Sequence, residues 1–126
     1  MLGRCVIAVT AFILGLSSAE AEPTNIHINE VQALHAWCKM PPASPEHAAC
    51  NGYISAIGDT LIYLSFYKQK HENLQDFPYV MCGTPSSDDM VKAFTDWAAA
   101  NPQEGSSDKM IGVVLALRKN WPCQSN

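Results

Sequence analysis

Basic residues are scarce in this chain: eight Lys and Arg stand against twelve Asp and Glu, and they never gather into a run. A net charge of -4 without a basic stripe lacks the electrostatic footprint of a nucleic-acid binder, which excludes that class of partner. Long apolar runs are missing too. Nothing beyond residue 21 approaches the ~20 consecutive apolar residues needed to cross a bilayer core, so no membrane association is expected of the processed chain. The cysteines include no C-x-x-C pair, which argues against a zinc site. There is no glycine-rich phosphate loop, no serine elbow and no pair of carboxylates at catalytic spacing. His71-Glu72-Asn73-Leu74-Gln75 begins like a metalloprotease helix, but glutamine stands where the second metal ligand belongs. With no assembled chemistry, the chain reads as a protein that acts by binding another protein. It is not read as an enzyme, and it calls for no metal and no cofactor.

The N-terminus carries a different signal. Arg4 precedes an apolar stretch from Cys5 to Leu16, too short for a permanent span, and Ala19-Glu20-Ala21 supplies the small-x-small pattern of a signal-peptidase site. Residues 1–21 are therefore expected to be a signal peptide cleaved after Ala21, leaving 22–126 as one small exported domain. A chain of that size buries only about two-thirds of its unfolded surface and gains from covalent staples. After cleavage Cys38, Cys50, Cys82 and Cys123 remain, an even number suited to two disulfides in an oxidising compartment.

Hydrophobic periodicity predicts an all-α domain, a small bundle of four, or four to five, helices. Thr24 or Asn25 is placed to cap a first helix whose apolar face is Val31, Leu34, Trp37 and Cys38, and Met40-Pro41-Pro42 ends it. Ser44-Pro45-Glu46 opens a second: a capping serine, a proline in the first turn and an acid facing the positive end of the dipole. Cys50, Tyr53, Ile54, Ile57, Leu61 and Leu64 form its stripe, which runs to Lys68-Gln69-Lys70-His71. The β-rich patch from Leu61 to Tyr67 has no turn residue before it and is kept in this helix. An irregular connection over 72–85 follows. Ser86-Ser87-Asp88-Asp89 caps a third helix with Val91, Phe94, Trp97 and Ala98 inward, stopped by Asn101-Pro102. Ser106-Ser107-Asp108 opens the last, with Ile111, Val114, Leu115 and the stem of Arg118 assigned to the core. Gly58 and Gly112, inside helices, predict close helix approach.

Cys38 ends the first helix and Cys50 lies early in the second, so a bridge between them would lock that pair. Cys82 precedes the third helix and Cys123 follows the fourth, which brings them to one end of a helical hairpin. These pairings are preferred, while spacing leaves the other two connectivities open. His47, one turn from Cys50, is read as a helix-surface histidine. Asp59, the one acid between Cys50 and Tyr67, is expected to bond a neighbouring helix end.

Cys50-Asn51-Gly52-Tyr53-Ile54-Ser55-Ala56-Ile57-Gly58-Asp59 resembles the signature C-x-G-Y-I-x-G-x-x-D of the Tai/Rap family, periplasmic immunity proteins against type VI secretion amidase effectors. Cys50, Gly52, Tyr53, Ile54 and Asp59 match it, and Ala56 stands where glycine is usual. Cys38, Cys82 ahead of a capped helix, Trp97 through Asn101-Pro102, and Trp121-Pro122-Cys123 follow in the family's order, with Gly83 as a second departure. The resemblance implies an all-helical periplasmic domain, often a homodimer, that binds a peptidoglycan amidase effector and blocks its cleft. The alternative is an orphan periplasmic helical binding or stress protein without a toxin. The polar loop Asn101, Pro102, Gln103, Glu104, Gly105 and Ser106 is the first candidate partner contact, since exposed helix-joining loops can enter a cleft; the competing reading is an ordinary solvated connector. Phe77, Pro78 and Tyr79 are a second candidate contact, read chiefly as packing residues.

Overall fold

The computed structural model describes residues 28–71 and 80–124. Residues 1–21, expected to be a signal peptide, and Thr24, Asn25, and the segment with Phe77, Pro78 and Tyr79 lie outside these. Among these described residues there are four α-helices, α1 (Val31–Cys38), α2 (Pro45–Lys70), α3 (Ser87–Ala100) and α4 (Lys109–Asn120), with a 3-10 turn at Pro102–Glu104.

Local capping explains three of the four starts. The Ser44 hydroxyl accepts from the His47 N–H at 3.1 Å, and Pro45, which has no N–H to satisfy, takes the first turn of α2. Ser86 and Asp89 form a reciprocal capping box at α3, with bonds of 3.2 and 3.1 Å. The Asp108 carboxylate accepts from the Met110 and Ile111 N–H groups at α4. Helix α1 departs from expectation. It begins at Val31 with Glu30 as an N-cap that makes no side-chain cap bond. Its first donors are satisfied from far along the chain instead: Val31 N–H donates to the Ser107 carbonyl and Gln32 N–H to that of Gly105, both at 2.9 Å.

With 26 residues, and hence about 39 Å in length, α2 is the spine against which the others pack. The core is closed by Val31, Leu34, Ile54, Met81, Phe94, Val113 and Leu117. Both expected cysteine pairs are disulfides, Cys38–Cys50 and Cys82–Cys123. The first lies in the core, Cys50 being fully buried, whereas Cys82 and Cys123 are half-exposed. Gly83, directly after Cys82, has φ +127°, a left-handed conformation that favours glycine, and this turn carries the chain past the Trp121 ring.

The assignment of the α4 face requires correction. The helix buries Gly112, Val113, Ala116 and Leu117, and leaves Ile111 and Leu115 exposed. The cause is close packing: a Cβ on Gly112 would come within 2.6 Å of Val31 Cγ2 and 3.1 Å of the Trp97 ring, so the small residues mark the inner face. Gly58 meets Met90 and Leu117 in the same way.

A testable consequence follows for Gly112→Ala. Better helix propensity favours alanine by about 1 kcal/mol. The added methyl, however, must displace a β-branched side chain on another helix, and overpacking of this kind costs about 1–3 kcal/mol. The net expectation is a melting temperature lowered by several degrees in a thermal scan. Gly52→Ala, on the same test, should raise it, because nothing lies within 4 Å of the added methyl.

Candidate partner-binding site

The signature residues do not converge on a reactive centre. Cys50 and Ile54 are core, Tyr53 is half-buried, and Gly52, Asp59 and Pro122 are exposed. Asp59 stands exposed on the outer surface of α2 and makes no hydrogen bond or ion pair among the described residues, so the expected bond to a neighbouring helix end is not formed: the carboxylate points to solvent. The imidazole of His47 is committed structurally: Nδ1–H donates to the Cys38 carbonyl at 3.1 Å and ties the end of α1 to the start of α2. No group of three or more His, Cys, Asp or Glu at metal-binding range occurs among the described residues. Tyr53 faces Lys109, whose Nζ lies 4.7 Å from the ring centroid and also donates to the Ile28 carbonyl at 2.8 Å. Burial, with a smaller contribution from the Asp108 charge, raises the Tyr53 phenol above its usual range.

The loop at 101–106 is where exposed polar groups and fixed geometry coincide. Asn101 ends α3, its side-chain amide donating to the Trp97 carbonyl at 2.7 Å. Pro102 then starts the 3-10 turn, in which Glu104 N–H bonds the Asn101 carbonyl and Gly105 N–H that of Pro102. The Ser107 hydroxyl donates to the Glu104 carboxylate at 2.7 Å. Pro102, Gln103 and Ser106 remain exposed on this scaffold. The loop also has a structural role, since the Gly105 and Ser107 carbonyls cap α1, and an antiparallel bridge joins Glu30 to Asp108. A segment tied at both ends loses little entropy on docking, which suits a contact surface.

Beside the loop lies a crevice of about 320 Å³ lined by Val31, Gln32, His35, Ala98, Ala99, Pro102 and Gly105. Burial, and secondarily the Lys39 charge, hold His35 below its ordinary pKa of 6.5. The unfolded chain therefore binds a proton at His35 more readily than the folded one. Stability from this residue is level above pH 6.5 and declines as the pH falls from there through the lowered folded value. In denaturant titrations, His35→Gln is expected to flatten that part of the stability profile, and an unchanged slope would show that His35 does not produce it.

A second surface was not anticipated from the sequence. Met110, Ile111 and Leu115 stand out from α4 beside Ile57, Thr60 and Leu61 of α2. The apolar spacing of Ile111, Val114 and Leu115 is the available signal in the sequence, and it points them to the core instead.

No curated protein and no solved structure matches the chain. The family model for Rap1a immunity proteins matches residues 30–123, a span that takes in all four helices, both disulfides and the loop. By that match, the chain belongs to the Rap1a immunity protein family.

Proposed function

We propose that the protein is a periplasmic inhibitor, released by cleavage after Ala21, that binds a peptidoglycan amidase delivered by type VI secretion and blocks its active-site cleft. The observation that carries this reading is the family match over residues 30–123. Two buried or half-buried disulfides suit an antidote that must stay folded in an oxidising compartment, where such a toxin would act. The protein's part is occlusion, without bond-making of its own. The pre-ordered loop, with Pro102, Gln103 and Ser106 outward, is the proposed contact.

The test is a peptidoglycan cleavage assay with purified type VI amidases and the chain 22–126. Stoichiometric inhibition of one amidase is expected. Gln103→Arg combined with Ser106→Arg should weaken that inhibition at least tenfold, about 1.4 kcal/mol, with the melting temperature unchanged because both side chains are exposed. Full inhibition by the double variant would remove the loop from the interface. No inhibition of any amidase by the unaltered protein would sink the reading itself.

A further inference from the structure

His35 and His47 are both half-buried, but only His47 is held by the fold. Its Nδ1 meets the Cys38 carbonyl, whereas the imidazole of His35 makes no hydrogen bond or ion pair among the described residues. No fully buried side-chain nitrogen or oxygen there lacks a partner, so the His35 ring nitrogens reach solvent, and His35 lines the crevice of about 320 Å³ beside the loop. Buried Val31 and Ala98 form its floor, and exposed Ala99 and Pro102 its rim. Gly105, also in the lining, has φ -54° and ψ -36°, a conformation open to any residue. What its missing side chain provides is space, since a Cβ would stand 3.2 Å from the Pro102 carbonyl and 3.6 Å from the Gln32 side chain, both part of the crevice.

Charge selects what this space takes. The nearby acids are occupied: the Glu30 carboxylate accepts from the Gln32 amide at 2.6 Å, and that of Glu104 from the Ser107 hydroxyl at 2.7 Å. Lys39, one turn beyond His35 on α1, makes no hydrogen bond or ion pair through its ammonium among the described residues. Its charge is felt at the imidazole, and no carboxylate's is. Helix α3 and the loop face the crevice with Ala98, Ala99, Pro102 and Gly105, none of which titrates. We propose that the crevice receives an acidic side chain of the amidase, whose carboxylate accepts a hydrogen bond from His35 with the Lys39 ammonium beside it. An aliphatic side chain would seal the ring nitrogens from water without a partner, and a basic one would be repelled by Lys39.

The inference rests on the immunity reading and widens its contact. Pro102 and Gly105 belong to loop and crevice alike, so a partner seated on Pro102, Gln103 and Ser106 also covers the crevice mouth. Binding then carries a proton with it. In the free protein burial and Lys39 favour the neutral ring, and a carboxylate against it favours the imidazolium. Affinity is level at high pH and rises as the pH falls through the raised pKa of the complex, until the free ring titrates below 6.5.

Calorimetric titration of residues 22–126 with the amidase they inhibit reads this directly. Affinity is expected to be about fivefold higher at about pH 6.5 than at about pH 8.5, with proton uptake seen as a dependence of the heat on the buffer's ionisation enthalpy. His35→Gln keeps an amide donor but cannot charge, and should remove that increment and that uptake. Lys39→Glu should weaken binding about tenfold, less so in high salt. Ala99→Leu fills the crevice from an exposed position and should weaken binding comparably with the melting temperature unchanged. A wild-type pH slope in His35→Gln, or wild-type affinity in both Lys39→Glu and Ala99→Leu, would overturn the inference and leave the immunity reading standing. Inhibition that only the Gln103 and Ser106 variant weakens would likewise confine the contact to the loop. An unaltered protein that binds no amidase would remove the immunity reading and this inference together.

Discussion

Phe94→Ala is expected to lower the melting temperature by at least about 12 °C, and to leave much of the protein unfolded at physiological temperature. Phe94 is fully buried, the largest side chain in the core, and shares its cluster with Leu34, Ile54, Met81 and Leu117. Truncating such a phenyl ring loses its transfer free energy and leaves a cavity that the flanking helices fill only in part, for a total of about 3–5 kcal/mol. A domain of this size has on the order of 5–10 kcal/mol to lose, and each kcal/mol corresponds to roughly 4–8 °C. Phe66→Ala is the matched control: the same atoms are removed, but from a ring 58% exposed on α2, so the melting temperature should move by only a few degrees. If the two variants melted together, the burial assigned to Phe94 would be wrong.

The contrast between these two phenylalanines also shows what the sequence made readable. Phe94 lies on a helical stripe with Val91 and Ala98 behind a strong cap, so period and cap agreed and the buried face followed. Ser44-Pro45 and Asp108 gave equally local instructions for α2 and α4, and the positions of the helix ends favoured the disulfide pairing that is observed without excluding the other two. Two features were not local. The first turn of α1 is completed by carbonyls some seventy residues downstream, at Gly105 and Ser107, so no residue near Val31 announces its start. On α4 two faces compete, one of Ile111, Val114 and Leu115, the other of Gly112, Val113, Ala116 and Leu117. Ranking by side-chain size chooses the first. Tight packing chooses the second, because the missing side chain of Gly112 admits Val31 and Trp97 close to the α4 backbone.

That reversal bears directly on the candidate site. The loop at 101–106 was legible as exposed and polar, from Pro102, Gly105 and the absence of apolar residues, while its work as the cap of α1 was not. The apolar face between α2 and α4 was legible only as apolar residues, whose direction depended on a packing decision made by other helices. The two candidate surfaces thus differ in legibility: the polar loop is readable from composition, whereas the apolar face becomes visible only after the core has been filled.

Of the two disulfides, the shorter one is expected to matter more, although loop-closure entropy alone ranks them the other way. Closing 41 residues between Cys82 and Cys123 constrains the unfolded chain by about 4 kcal/mol, against about 3 for the 12 between Cys38 and Cys50, a difference near 1 kcal/mol. Burial reverses the order. Cys50→Ser leaves a hydroxyl at a fully buried position and a lone thiol at Cys38, itself 6% exposed; an unsatisfied buried polar group adds about 1–3 kcal/mol to the lost constraint. Cys82→Ser sets its hydroxyl at a half-exposed site that solvent can reach, so little is added. Both variants should melt well below the parent, Cys50→Ser the lower of the two. Under a mild thiol reductant the half-exposed Cys82–Cys123 pair should open first, because exchange needs access for the attacking thiolate. Equal melting temperatures would mean that the α1–α2 junction relaxes enough to hydrate the serine. A more damaging Cys82→Ser would mean that chain entropy outweighs burial, and that the tie between the start of α3 and the end of α4 is the principal staple of the bundle.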